Sequence, residues 1–183
     1  MKFKICFNQL LFMYLFLNYR QVTLHHIYKT PLLFAVFLNL FVSAYSLAGE
    51  PVTSRQALEQ SLAKHKGKVV YLDFWASWCG PCVRSFPWMN NIQTKYKDKG
   101  FTIISVNLDA EKPLAEKFLF NNPASFEVIY DPKGKIAMHF KIQGMPSSML
   151  IGRDGKIKSS HTGFFNKKIP EYQQEIEALL VQK

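Results

Sequence analysis

An α/β sandwich with a mixed central sheet is the fold this sequence predicts for its residues 53–183, on three observations. Val69-Val70-Tyr71-Leu72-Asp73-Phe74-Trp75 and Phe101-Thr102-Ile103-Ile104-Ser105-Val106-Asn107 are continuous apolar, β-branched and aromatic runs of the kind that fully buried strands show. An amphipathic helical pattern separates them. Farther on, Arg153-Asp154-Gly155 sits between two short strand-like runs as a hairpin turn, and a closing helical pattern follows. Alternating β and α followed by a hairpin and a helix implies helices on both faces of a partly parallel sheet.

Each element has its own local warrant. Thr53 or Ser54 caps a first helix with Leu58, Leu62 and Ala63 on one face, ended by Gly67-Lys68. The first buried run follows, with an acid, Asp73, in its middle. Cys79-Gly80-Pro81-Cys82 opens a helix patterned by Phe86, Met89, Ile92 and Tyr96 and closed by Gly100. The second buried run leads to a helix begun near Ala110 and marked by Leu114, Phe118 and Leu119. Phe126 to Tyr130 reads as a short strand, Ile136 to Phe140 as a short helix and Gly144-Met145-Pro146 as a turn. Ser148 to Ile151 and Ile157 to His161 are the hairpin strands, and Tyr172, Ile176, Leu179 and Leu180 face a closing helix.

The chain is 183 residues long, room for one domain with a real core plus a targeting segment. Hydrophobic residues at 48% and charged residues at 20% argue against disorder and against a disulfide-dense scaffold. The first acid is Glu50, and only Lys2, Lys4, Arg20 and Lys29 are charged before it. Leu32 to Val42 is apolar apart from Asn39, and Ser43-Ala44-Tyr45-Ser46-Leu47-Ala48 follows. This is the layout of a secretory signal peptide, with Ser46 and Ala48 placed for cleavage before Gly49. The apolar run falls short of the about 20 residues a bilayer-spanning helix needs, so residues 1–48 are expected to be a cleaved leader or an N-terminal anchor. A second apolar stretch, Ile5 to Leu17, suggests that the start lies too far upstream, and Cys6 belongs to that segment as an incidental apolar residue.

The charge of +10 invites a nucleic-acid reading. Removing the four leader cations leaves 135 residues at +6, more simply a solvated basic face. No nucleic-acid partner is expected.

Cys79 and Cys82 fall on the first turn of a helix, close enough to form a disulfide with each other. At the helix N-terminus the unpaired N–H groups and the helix dipole favour a thiolate at Cys79, and Pro81 presets helical φ. Cys79 is therefore the expected nucleophile and Cys82 the resolving thiol. A structural zinc site needs four ligands, whereas the residues after 48 hold only these two cysteines with His65, His139 and His161 scattered singly. A c-type haem site requires histidine after the second cysteine, where Val83 stands. Neither metal nor cofactor is expected beyond the redox-active Cys79–Cys82 disulfide itself.

The stretch from Val70 to Cys82, YLDFWASWCGPC at its heart, closely resembles the active-site strand and loop of thioredoxins. Pro87 resembles the proline inside their active-site helix, Gly144-Met145-Pro146-Ser147 their cis-proline loop, and Gly163 the glycine after their last strand. An additional strand-helix unit between Asp109 and Pro146, with Phe86-Pro87-Trp88 and Leu150-Ile151-Gly152-Arg153-Asp154-Gly155-Lys156, is similar to the exported TlpA-like thiol-disulfide oxidoreductases. The likeness runs from residue 53 to 182 and implies a thioredoxin fold.

It also implies roles. Asp73 resembles the buried acid that exchanges protons with the resolving cysteine, and an apolar strand would disfavour its charged form. Pro146 resembles the cis-proline that offers backbone groups to an incoming peptide. Met145 would flank the disulfide, Trp75 and Trp78 would shape its rim, and Trp78, Gly80, Pro81, Met145 and Pro146 form the implied substrate-binding set. Two positions depart from the pattern. Ser85 stands where some relatives acting in cytochrome c maturation carry glutamate, and Ser105 where thioredoxins carry a lysine near the acid.

The function expected is that of an exported, monomeric enzyme reducing disulfides in extracytoplasmic proteins, recharged by a membrane thiol donor and either periplasmic or tethered to the inner membrane. The competing reading is a thiol pair that holds copper(I), which soft thiolates suit, or a redox-inert binding module.

Overall fold

The computed structural model describes residues 52–182. The expected leader, with Cys6 and the cleavage signal at Ser46 and Ala48, lies outside them. Among the described residues no helix is long and apolar enough to cross a membrane.

The elements run α1 (Ser54–Lys64), β1 (Val69–Trp75), α2 (Gly80–Tyr96), β2 (Phe101–Asn107), α3 (Lys112–Asn121), β3 (Glu127–Tyr130), α4 (Lys135–His139), β4 (Ser147–Ile151), β5 (Ile157–Thr162) and α5 (Ile169–Leu180). One five-stranded sheet carries them in the order β3-β2-β1-β4-β5. β1, β2 and β3 are parallel, β4 runs antiparallel to β1, and β5 antiparallel to β4. The fold is the thioredoxin-like α/β fold. The chain between Asp109 and Pro146 places β3 on the sheet edge beside β2, with α3 before it and α4 after it.

Strand periodicity divides the core. Both central strands are buried along their whole length, as their unbroken apolar runs predict. Val69, Tyr71 and Trp75 pack with Phe86, Met89 and Ile92 of α2, Phe118 of α3 and Tyr172 and Ile176 of α5. Val70, Leu72 and Phe74 turn the other way, toward Leu58 of α1 and Ile136 of α4.

Caps and pins set the element ends. Thr53 caps α1 with a reciprocal capping box to Gln56. The buried Asp131 carboxylate accepts the amides of Lys135, Ile136 and Ala137 at 3.0, 2.7 and 3.1 Å and the Ser54 hydroxyl at 2.9 Å, tying the start of α1 to α4. At the opposite end of β1, the Arg153 guanidinium donates to the carbonyls of Gly67, Lys99, Leu180 and Gln182.

Several boundaries differ from those read off the sequence. α1 ends at Lys64, and the chain turns through Gly67 at φ 82° rather than stopping there. α3 opens at Lys112, because Pro113, lacking an N–H, belongs in a first turn. Phe126 stays out of β3 and lies against the Phe86 ring instead.

Candidate active site

The loop that ends β1 is fixed before the cysteines arrive. Asp109 accepts the Ser77 amide at 3.0 Å and the Ser77 hydroxyl at 2.8 Å, and Asn107 donates its side-chain amide to Asp109 at 2.7 Å. The Cys79 amide donates to the Ala76 carbonyl at 3.1 Å. This knot delivers Cys79 to the N-cap of α2 in extended backbone (φ −86°, ψ 99°), with Pro81 in the first helical turn.

Cys79 and Cys82 are joined in a disulfide, with their Cα atoms 5.3 Å apart. The Cys82 amide donates to the Cys79 sulfur at 3.3 Å. A sulfur at an N-cap that accepts an amide hydrogen and faces the positive end of a 17-residue helix has its anionic form favoured. Cys79 keeps 5% of its surface and Cys82 none, so the first sulfur is the one an incoming group can reach. Pro87 lies inside α2, where its missing N–H leaves the Val83 carbonyl without its helical donor.

Around the pair, Trp78 is exposed, Gly80 has open space where a side chain would be, and Pro81 and Met145 are half-buried. Pro146 is buried, its bond to Met145 is cis, and its carbonyl accepts the Gly163 amide at 2.7 Å. The backbone thus brings the Met145–Pro146 turn to the end of β4 that pairs beside the cysteine end of β1. Trp75, by contrast, is fully buried between Phe86 and Phe118 and shapes the core rather than a rim.

Asp73 is 2% exposed and shares its strand face with Tyr71 and Trp75, the face packed on α2 and the cysteines. Its Oδ2 has no hydrogen-bond partner. Burial pushes its carboxyl up to about 7. Ser105, beside it in the β1–β2 register, spends its hydroxyl on the Glu127 carbonyl at 3.1 Å and carries no charge to offset that burial. Ser85 donates to the Cys82 carbonyl at 2.9 Å.

Two groups escaped sequence reading. Asp109 reads as an acid after a strand, and only Asn107-Leu108-Asp109, a polar pair at a strand end, signalled it. Tyr71 reads as core, yet its hydroxyl donates to buried Ser148 at 2.8 Å. Among the described residues, no group of three or more His, Cys, Asp and Glu side chains is placed to hold a metal ion.

This geometry is shared with known proteins. A family model described as Redoxin matches residues 51–176. The thiol-disulfide oxidoreductase ResA of Geobacillus kaustophilus is 30% identical over 141 residues, which cover 74% of this chain and 81% of that protein. The ResA of Bacillus cereus is 34% identical over 126 residues, 68% of this chain and 73% of its own. A crystal structure from Chlorobium tepidum, assigned as a thiol:disulfide interchange protein DsbE, superposes with a TM-score of 0.64 at 52% identity. It covers 65% of this chain and 84% of its own. With a Redoxin match over most of its length and ResA relatives across its cysteine motif, the chain belongs to the Redoxin family as a TlpA-like thiol-disulfide oxidoreductase of the thioredoxin superfamily.

Proposed function

We propose that the chain reduces disulfides in extracytoplasmic proteins through a Cys79/Cys82 dithiol–disulfide cycle. The observation that carries this reading is the Cys79 sulfur at the α2 N-cap, accepting the Cys82 amide, with Cys82 and Asp73 buried behind it. In the reduced enzyme the Cys79 thiolate attacks one sulfur of a substrate disulfide. A mixed disulfide forms, and the departing substrate thiolate takes a proton. Asp73 accepts the Cys82 proton, and the Cys82 thiolate then attacks the Cys79 sulfur, restoring the Cys79–Cys82 bond and releasing the second substrate thiol. Two electrons pass to the substrate, and an external thiol donor must return them.

What surrounds the sulfurs supports this direction. A couple becomes strongly oxidising when its thiolate is strongly stabilised. Among the described residues the Cys82 amide is the donor to the Cys79 sulfur, and the nearby buried group is an acid whose ionisation opposes a thiolate. Both support the reading of a reductant.

Trp78, Gly80, Pro81, Met145 and Pro146 are the surface that receives the substrate strand. Residues 1–48 act as the export signal or tether that brings the domain to a membrane thiol donor. The experiment is the equilibrium potential of the Cys79–Cys82 couple, together with reduction of a model protein disulfide by the full chain. A reducing potential with multiple turnovers supports the reading, and a pair that neither reduces nor exchanges leaves a binding module.

A further inference from the structure

The sheet face that carries Asp73 also carries a line of polar side chains that the thiol chemistry leaves unused. Asp73 on β1 lies opposite Ser148 on β4, and Ser148 lies opposite His161 on β5. Directly opposed residues project to one face with Cβ atoms about 4.5–5.5 Å apart. The three therefore form a single cross-strand row. Its inner end is sealed, with Asp73 2% and Ser148 5% exposed. Its outer end opens: His161 Nε2 lies 2.9 Å from Glu175 Oε2, in a pair whose side chains are 15% and 30% exposed. Ser159, one register step along on β5, donates to the same Glu175 oxygen at 2.6 Å.

Tyr71 completes the row. Its hydroxyl donates to Ser148 Oγ, so the Ser148 hydroxyl, which holds one proton of its own, is free to donate elsewhere. A satisfied Tyr–Ser pair alone would be ordinary core packing. This one stands beside an acid with an unpartnered buried oxygen, among aromatic and aliphatic neighbours where polar groups are costly.

The cycle can use such a route. When Cys82 attacks, the substrate is still bonded to Cys79 and covers the Trp78–Met145 surface. An Asp73 that already holds a proton must lose it before it can take the one from Cys82, and with that surface covered the open side lies behind. We propose that Ser148 and Tyr71 are positioning residues for proton exchange, linking Asp73 across β4 to the His161–Glu175 pair at the β5 edge. The link rests on the reading of Asp73 as proton acceptor. Each hydroxyl takes one proton and gives up another, and the His161–Glu175 pair passes it to water. The titratable or hydroxyl groups beside Asp73 are Tyr71 on its own strand, Ser105 on β2 and Ser148 on β4, with Cys82 of α2 in the core cluster on the same sheet face; Tyr172 and Glu175 on α5 act on Tyr71. His161 follows on β5.

The test is single-turnover reduction of a model protein disulfide by the reduced full chain from pH 5 to 9, in H2O and D2O. Ser148→Ala is expected to slow the reaction at neutral pH by roughly 10-fold, less than the about 10²–10⁴-fold of a group that transfers the proton directly because Ser148 acts through Asp73, with a solvent isotope effect absent from the parent. Ser148→Thr, which keeps the hydroxyl, restores the parent profile. His161→Gln, which can still donate to Glu175 but cannot take up and release a proton, is slowed like Ser148→Ala, and neither change slows Asp73→Asn further. Parent rates and pH profiles in Ser148→Ala or His161→Gln, with Asp73→Asn slow, overturn the link and leave the Asp73 reading standing. A parent-like Asp73→Asn removes that reading and the link with it. Should Ser148→Ala fail to fold, Tyr71→Phe decides: a slowed reaction supports the link and a parent profile overturns it.

Discussion

Asp109 holds Ser77 by both its backbone amide and its hydroxyl, across 32 positions of sequence. Asp109 is 2% exposed, so this clamp works away from water. Asp109→Ala strands the Ser77 amide and the Asn107 side chain, and is expected to cost roughly 3 kcal/mol. Urea unfolding measures the loss. Amide exchange at Ser77 and Cys79 should speed up beyond what the global loss explains, whereas exchange in α5 should not.

The two cysteines are expected to fail differently. Cys82→Ser leaves an attacking thiolate without a resolver and accumulates a mixed disulfide with a protein substrate, visible on a non-reducing gel. Cys79→Ser should neither turn over nor form the adduct, because the remaining sulfur is fully buried. Equal adduct formation by both variants would reverse the assignment of nucleophile.

Asp73 gives folding stability a pH dependence of its own. Its folded carboxyl lies near 7 against an ordinary value of 3.8, so the folded chain binds this proton more tightly than the unfolded chain. Stability is therefore intact below about pH 4, falls as pH rises toward 7, and stays lowered above it. Asp73→Asn should remove that slope. Compared with the parent, its advantage should grow from near zero at pH 4 to on the order of 4 kcal/mol at pH 8, measured by denaturant unfolding at the two pH values. The same variant should reduce disulfides more slowly at neutral pH.

Arg153 gives a control far from the sulfurs. Arg153→Ala strands carbonyls on three separate segments and should cost roughly 2 kcal/mol, with Arg153→Lys failing to restore it because an ammonium cannot reproduce the planar fork. Disulfide reduction at a temperature where both variants are folded should match the parent. Gly100→Ala should act on the same pin, since the new Cβ would stand 2.8 Å from the Arg153 guanidinium at a backbone φ of 82°.

Much of this fold is legible in the amino-acid sequence. Val69–Trp75 and Phe101–Asn107 announced buried central strands because both of their faces are covered by helices, which removes the polar alternation. Cys79-Gly80-Pro81-Cys82 announced its helix N-terminus because proline and an N-cap leave few other places for the chain to go. What stayed hidden was pairing at a distance. Tyr71 meets Ser148 across 77 positions, and the row from Asp73 to His161 exists only once the β1–β4–β5 register is known. A single strand's pattern tells which face a residue takes but not its neighbour across the sheet.

The Cys79–Cys82 ring encloses only Gly80 and Pro81, inside a helical turn whose backbone bonds already hold it. A ring this short constrains little of the unfolded chain, so making or breaking the bond should move folding stability less than a cross-link closing a long loop would. The bond is thereby left to carry electrons rather than to hold the fold together.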